Sequence, residues 1–193
     1  MSPRTEEQFK AIREEKKQKI RVVALELFSE QGYYGTSISK IAKRANISKG
    51  LIYNYFSGKE EIVRDIIDNG IHKMLDDLDL NKDGVLETEE IEQYIHKIFA
   101  ILKENPKFWK LYFSISLQPH IFDLVKEKVD ELTQYVFALF TDYFERKGVN
   151  EPGTEAMLFA ALLDGIGFHF IMAPEEYPVE KIKDILIKRY VKS

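Results

Sequence analysis

The stretch Thr36-Ser-Ile-Ser-Lys-Ile-Ala-Lys-Arg-Ala-Asn-Ile-Ser-Lys-Gly-Leu-Ile-Tyr-Asn-Tyr-Phe56 decides the fold of this chain. Its apolar residues Ile38, Ile41, Ala42 and Ala45 recur at steps of three and four, which predicts a short helix over about 38–45. A second short helix follows at about 49–55. Asn46 between them tolerates the left-handed backbone of a tight turn, and Ser48 is placed to cap the second helix. Two short helices joined in this way form a helix-turn-helix, whose second helix fits a major groove about 12 Å wide. Lys40, Lys43, Arg44, Lys49 and Lys59 flank that helix, and Tyr53, Asn54 and Tyr55 lie on or beside it. Tyrosines and hydroxyls suit phosphate oxygens, which set register, while Asn54 and Lys49 have the reach and chemistry to address base edges.

Upstream, a helix is predicted from about Lys17 to Gln31, with Ile20, Val23, Ala24, Leu27 and Phe28 on one stripe and Gly32 as its stop. The first sixteen residues, mixed in charge, read either as a helical extension or as a mobile arm. Downstream, Ser57-Gly-Lys-Glu60 reads as a capping box that opens a long helix through Ile62, Ile66, Ile71 and Leu75. Further helices are expected at about 88–103, 106–117, 121–147, 154–172 and 178–191, punctuated by prolines tolerated in first turns. The expected fold is all-α: an N-terminal three-helix helix-turn-helix domain over residues 1–58, joined to a C-terminal helical domain over 59–193. In the latter, Leu158, Ala161, Leu162, Gly165, Phe168 and Met172 make a wide apolar stripe, and the last helix offers Ile182, Ile185, Leu186 and Tyr190.

Charge divides along the same line. Residues 1–59 hold 12 Lys/Arg against 6 Asp/Glu, whereas the whole chain carries a net charge of −4, so only the N-terminal end suits a polyanion. There is no cysteine, hence no disulfide and no thiolate metal site, and the polar start lacks the apolar run of a signal peptide. A cytoplasmic protein with no membrane partner is expected. Four scattered histidines, no nucleophile motif and no phosphate-cradling glycine loop argue against an enzyme.

The quoted string, with Ser57-Gly-Lys-Glu-Glu-Ile62 after it and Ala24-Leu-Glu-Leu-Phe-Ser-Glu-Gln-Gly-Tyr33 before it, resembles the DNA-binding signature of the tetracycline-repressor (TetR) family. About 47 residues carry the resemblance. Asn46 stands where glycine is usual in that family, and Tyr55 where histidine is frequent; both are conservative for the roles concerned. The resemblance implies that Thr36 and Ser37 touch phosphate, that Ser48, Lys49, Gly50 and Leu51 open the recognition helix where bases are contacted, that Tyr53 and Tyr55 bind the backbone, and that Lys59 pairs with a phosphate. It also implies a homodimer on a palindromic operator, dimerised through the last two helices, and a C-terminal pocket whose small-molecule effector, by family habit, relieves repression. The aromatic richness of that region makes an apolar or aromatic effector the expectation, with Trp109, Tyr112, Gln118, His120, Asp164 and His169 as polar-tipped candidates for contact.

One further motif stands apart. Asp79-Leu-Asn-Lys-Asp-Gly-Val-Leu-Glu-Thr-Glu-Glu90 fits the twelve-residue calcium-loop pattern, with Leu86 at the apolar eighth place. In that reading Asp79, Asn81 and Asp83 supply side-chain oxygens, Val85 its carbonyl, Glu87 a water-mediated contact and Glu90 a bidentate carboxylate, while Gly84 makes the turn. Calcium is the one cofactor the sequence suggests, and a calcium-responsive sensor or adaptor is the alternative reading of the whole chain.

Overall fold

Gly32, with φ at +73°, breaks the first helix where a side chain would resist, and Asn46, at φ 53° and ψ 50°, turns the chain between the next two. These two left-handed residues set the helix-turn-helix in the computed structural model, which describes residues 5–76 and 78–192. Among the described residues the elements are α1 (Glu6–Gly35), α2 (Ile38–Ala45), α3 (Lys49–Tyr53), α4 (Lys59–Leu75), α5 (Thr88–Glu104), α6 (Pro106–Ser116), α7 (Pro119–Arg146), α8 (Pro152–Met172) and α9 (Val179–Tyr190). They divide into two units: residues up to Gly70 with Leu111–Val125, and Ile71–Lys110 with Lys126 onward. The boundary drawn at residue 58 from the capping signal thus falls inside the first unit.

In the first unit Ile20, Ala24, Phe28, Ile41, Ile52, Phe56, Ile62 and Val63 are all at most 1% exposed and form one apolar centre. Residues 6–16 belong to it as helix, because Thr5 caps α1 by accepting from the Gln8 N–H while Gln8 accepts from the Thr5 N–H. The extension makes α1 long enough to carry an ion network. Arg21, 6% exposed, donates to Asp65 on α4, to Gln18 at 2.6 Å and to Glu14 at 2.6 Å, and Lys17 donates to Asp65 at 3.0 Å. Burial disfavours the Arg21 charge, but the hydrogen bonds to Asp65 and Glu14 more than offset it and raise the guanidinium pKa. The start of α4 differs from the capping box read in the sequence. The helix opens at Lys59, so the cap position falls on Gly58, and it is Glu61 rather than Glu60 that reaches back to the Ser57 N–H, at 2.5 Å. That bond holds the Glu61 carboxyl below its usual range. Gly70 then allows close approach: a Cβ there would lie 2.1 Å from Cε2 of Tyr112, whose hydroxyl donates to the Ile67 carbonyl at 3.2 Å.

The second unit is built on aromatic packing. Phe140 meets Phe159 edge-on at 5.1 Å, Phe144 meets Phe159 at 5.9 Å, and the Tyr143 hydroxyl donates to the Tyr190 carbonyl at 2.9 Å. Gly167 lets Leu102 of α5 close on α8, since a Cβ would stand 3.3 Å from its Cδ1. By length and composition α8 is apolar enough to cross a membrane, yet it buries Phe159, Leu163, Ile166 and Phe170 within this helical unit. Its other side stays open: Met157, Leu158, Phe168 and Met172 are 42–63% exposed, and Ile185 of α9 is 65% exposed. Leu186 and Tyr190, which the sequence offered with Ile185 to the expected dimer face, are internal at 4% and 6%.

Two consequences can be measured by urea unfolding of the whole chain. Gly70→Ala should destabilise it by about 1–3 kcal/mol through overpacking against Tyr112, and an unchanged midpoint would contradict the close approach. Asp65→Ala strips the buried Arg21 of its main partner and should cost about 1.5–3 kcal/mol, whereas Lys126→Ala, on an exposed pair, should lie within about 0.5 kcal/mol of the parent.

Candidate nucleic-acid interface and cavity

Helix α3 is only five residues long, so its orientation comes from what it buries. Ile52 at 0% and Phe56 at 1% exposed point inward, and this turns Lys49, Gly50, Tyr53 and Asn54 to solvent, with Leu51 and Tyr55 half-buried beside them. Ser48 caps the helix by accepting from the Leu51 N–H at 3.1 Å, and Ser37 caps α2 by accepting from Lys40 at 3.2 Å. Lys43 and Lys49 are exposed on the same unit, while Lys40 is occupied by Gln31 and the Gly35 carbonyl, both at 2.7 Å, and Arg44 pairs with Glu30 at 2.8 Å. The surface presented is therefore polar, amide- and phenol-bearing and partly cationic, as groove binding requires.

Two of the residues expected at the phosphates turn out to hold the fold. Thr36 is 1% exposed, and its hydroxyl donates to the carbonyls of Leu27 and Gly32 at 3.1 and 3.0 Å, so its side chain is withdrawn from any phosphate. The Lys59 ammonium donates to the Tyr33 and Thr36 carbonyls at 2.8 and 3.0 Å and lies 3.9 Å from the Tyr33 ring centre. Burial lowers its pKa. Lys59 therefore staples the end of α1 to the start of α4, with one N–H left over. Sequence reasoning missed Arg13, whose guanidinium donates to the Asn54 carbonyl at 3.3 Å and sits 5.0 Å over the Tyr55 ring. Nothing local signals that contact, since 41 residues separate its partners.

The corner between α6 and α7 is also part of the first unit. Gln118 donates to the Phe28 carbonyl and accepts from the Tyr33 N–H, both at 3.2 Å, and the His120 ring lies 4.7 and 5.0 Å from those of Tyr33 and Tyr34. Gln118 and His120, taken in the sequence as ligand candidates, are thus engaged with the end of α1.

Within the second unit a cavity of about 280 Å³ opens between the end of α4 and helices α5, α7 and α8. Its lining is mainly aliphatic and aromatic, with Ile71, Met74, Leu132, Val136, Phe137 and Leu163 among the walls and Tyr94, Thr133 and Asp164 as polar groups. Burial pushes the Asp164 carboxyl up. Of the residues singled out by sequence, Asp164 lines this space and the others do not. The Trp109 indole donates to the Ile101 carbonyl at 2.9 Å, Tyr112 is spent on Ile67, and His169 stacks on Tyr177.

Residues Asp79, Asn81, Asp83 and Val85 lie in the connection between α4 and α5, and Glu90 lies on the first turn of α5. Among the described residues no three or more His, Cys, Asp or Glu side chains are gathered closely enough to hold a metal ion.

The family model described as "Bacterial regulatory proteins, tetR family" matches residues 20–66. The negative transcriptional regulator of the biofilm operon, IcaR, from Staphylococcus epidermidis is 32% identical over 128 residues, covering 62% of this chain and 68% of that protein. The uncharacterised regulator YvkB of Bacillus subtilis is 27% identical over 181 residues, covering 86% of this chain and 92% of its own. Among solved structures, the regulator FadR from Bacillus subtilis in complex with stearoyl-CoA superimposes with a TM-score of 0.66 at 20% identity, over 90% of this chain and 96% of that one. With the helix-turn-helix, its exposed α3 face and these relatives in agreement, the chain belongs to the tetR family of bacterial regulatory proteins.

Proposed function

We propose that this regulator acts as a homodimeric repressor: two helix-turn-helix units grip a palindromic operator, and a small, mainly apolar ligand in the second unit's cavity loosens that grip. The observation that carries the DNA half is the division of α3 into an inner face of Ile52 and an outer face of Lys49, Gly50, Tyr53 and Asn54. In this reading Ser37, Ser48, Tyr53 and Tyr55 bind phosphate, Lys49 and Asn54 read base edges, Gly50 and Leu51 let the backbone approach, and Lys59 offers its remaining N–H to a phosphate.

Dimerisation is supported by the exposed apolar side chains Met157, Leu158, Phe168 and Met172 on α8 and Ile185 on α9, which a second copy would cover. Two-fold pairing places half-sites near one turn of duplex, about 34 Å, or a multiple of it. For the ligand, the apolar walls and the one carboxylate in the lining favour a compound with a hydrocarbon body and one polar end near Asp164 and Tyr94. The relative solved with stearoyl-CoA shows that a protein of this fold accommodates an acyl-bearing molecule. Helices α4 and α7 each contribute residues to the cavity and continue along the chain into the first unit, α4 back to Lys59 and α7 back to His120. A ligand that prefers one setting of these helices shifts the DNA-binding equilibrium by its differential affinity, and by no more.

Fluorescence anisotropy on duplex DNA tests the first half. Affinity should fall steeply with salt; Tyr53→Phe should weaken binding to every duplex alike, whereas Asn54→Ala should change sequence preference by about 1–3 kcal/mol at the base pair it reads. Salt-independent binding, or the reverse pattern of variants, would contradict the assignment. For the second half, Ala160→Trp fills the cavity and should abolish binding of the apolar dye anilinonaphthalene sulfonate while leaving operator affinity intact; retained dye binding would place the ligand elsewhere.

A further inference from the structure

The loop Asp79–Glu90 takes no part in the function proposed above, yet it holds oxygen-bearing groups at its first, third, fifth, ninth and twelfth places. Its backbone turns where such a loop must turn: Lys82, at the fourth place, has φ +59°, and Gly84, at the sixth, has φ +79°. Leu86, at the eighth, is fully buried and anchors the loop, and α5 starts at the tenth place, Thr88, which puts Glu90 on its first turn. Glu90 is 7% exposed, and its two carboxylate oxygens face back into the loop, accepting from the Leu80 and Glu87 N–H groups at 3.0 Å each.

A separate observation points to a missing positive partner. Asp79 Oδ2 accepts from the Gly84 N–H at 2.9 Å, but Oδ1 is shielded from solvent and has no hydrogen-bond partner among the described residues. A carboxylate oxygen withdrawn from water is normally paired. Asp79, Asp83, Glu87 and Glu90 face two cations, Lys82 in the loop and Arg146 of α7, which stands 3.5 Å from Glu87 and donates to the Leu86 carbonyl, so the loop keeps a negative balance that favours a divalent ion. From the orphaned Asp79 oxygen and the twelve-residue register together, we propose that this loop binds one calcium ion through side-chain oxygens of Asp79, Asn81, Asp83 and Glu90 and the carbonyl of Val85. Asp83 is turned onto the Val85 N–H at 2.8 Å and onto Asn81 at 2.9 Å, so binding would exchange these local bonds, and those of Glu90, for the cation and draw together carboxylates that are not gathered as they stand. Because Ile71, Met74 and Leu75 precede the loop and Tyr94 follows it, and all four line the cavity, the ion would brace one wall of that cavity.

The test is isothermal titration of the chelator-stripped full chain with calcium chloride and, separately, magnesium chloride, alongside thermal unfolding. The expected result is one calcium site per chain with a dissociation constant of about 10⁻⁵–10⁻³ M, a higher unfolding temperature with calcium, and loss of both in the double variant Asp79→Asn, Asp83→Asn at unchanged helicity. Asp79→Asn retains an oxygen for the Gly84 N–H; if the double variant nevertheless loses helicity, Glu90→Gln is judged by the same heat. No heat and no shift at about 10 mM calcium, full binding by the variants, or magnesium matching calcium would each overturn the site.

Discussion

Arg21, a guanidinium taken out of water in the middle of α1, is the interaction on which the DNA-reading unit depends. Its partners Glu14 and Gln18 lie on its own helix and Asp65 lies on α4, so satisfying one buried charge fixes how α1 and α4 cross. Lys59 repeats the device at the other end, where its ammonium spans two carbonyls at the end of α1. Between these two clamps, α2 and α3 have little freedom. Ile41 and Ala45 seat α2, Ile52 and Phe56 seat α3, and Arg13 holds the carbonyl at the far end of α3. A five-residue helix cannot stabilise itself, so the outward aim of Tyr53 and Asn54 is a property of the frame rather than of the helix.

The second unit answers a different need. Its aromatic centre, Phe140, Phe144, Phe159 and Tyr190, is closely packed, whereas the space bounded by Ile71, Leu132 and Leu163 is not. A dense core beside an open cavity leaves the unit room for a ligand. The outer side of α8 remains apolar and exposed. One helix thus supplies core through Phe159 and Phe170, cavity through Leu163 and Asp164, and exposed apolar surface through Leu158 and Phe168.

Where the physics is local, the sequence was legible. Gly32 and Asn46 adopt the left-handed angles their chemistry permits, Ser48 caps α3, and the step of three and four located the helices after α1 to within a turn, whereas α1 starts at Glu6, well before the expected Lys17. Ser57 was misread by one place because Gly58, with no side chain, takes the cap and Glu61 replaces Glu60 as partner. Other features rest on partners far along the chain. Thr36 is drawn inward by Leu27, and Arg13 and Arg21 find Asn54 and Asp65 more than forty residues away. The cavity escaped a search for polar-tipped aromatics because helical cores consume those tips: Trp109 and Tyr112 are bound to backbone carbonyls, and the space is walled largely by aliphatic side chains that no motif marks.

The central claim is that paired α3 helices read a two-fold-symmetric sequence. Selection of bound duplexes from a random pool at near-physiological salt measures this most directly. The account predicts a palindromic consensus whose half-site centres are separated by about one helical turn or a multiple of it. Enrichment of single, unpaired half-sites would contradict the dimeric reading, and failure to enrich any sequence, while non-specific binding persists, would contradict specific recognition by the α3 face.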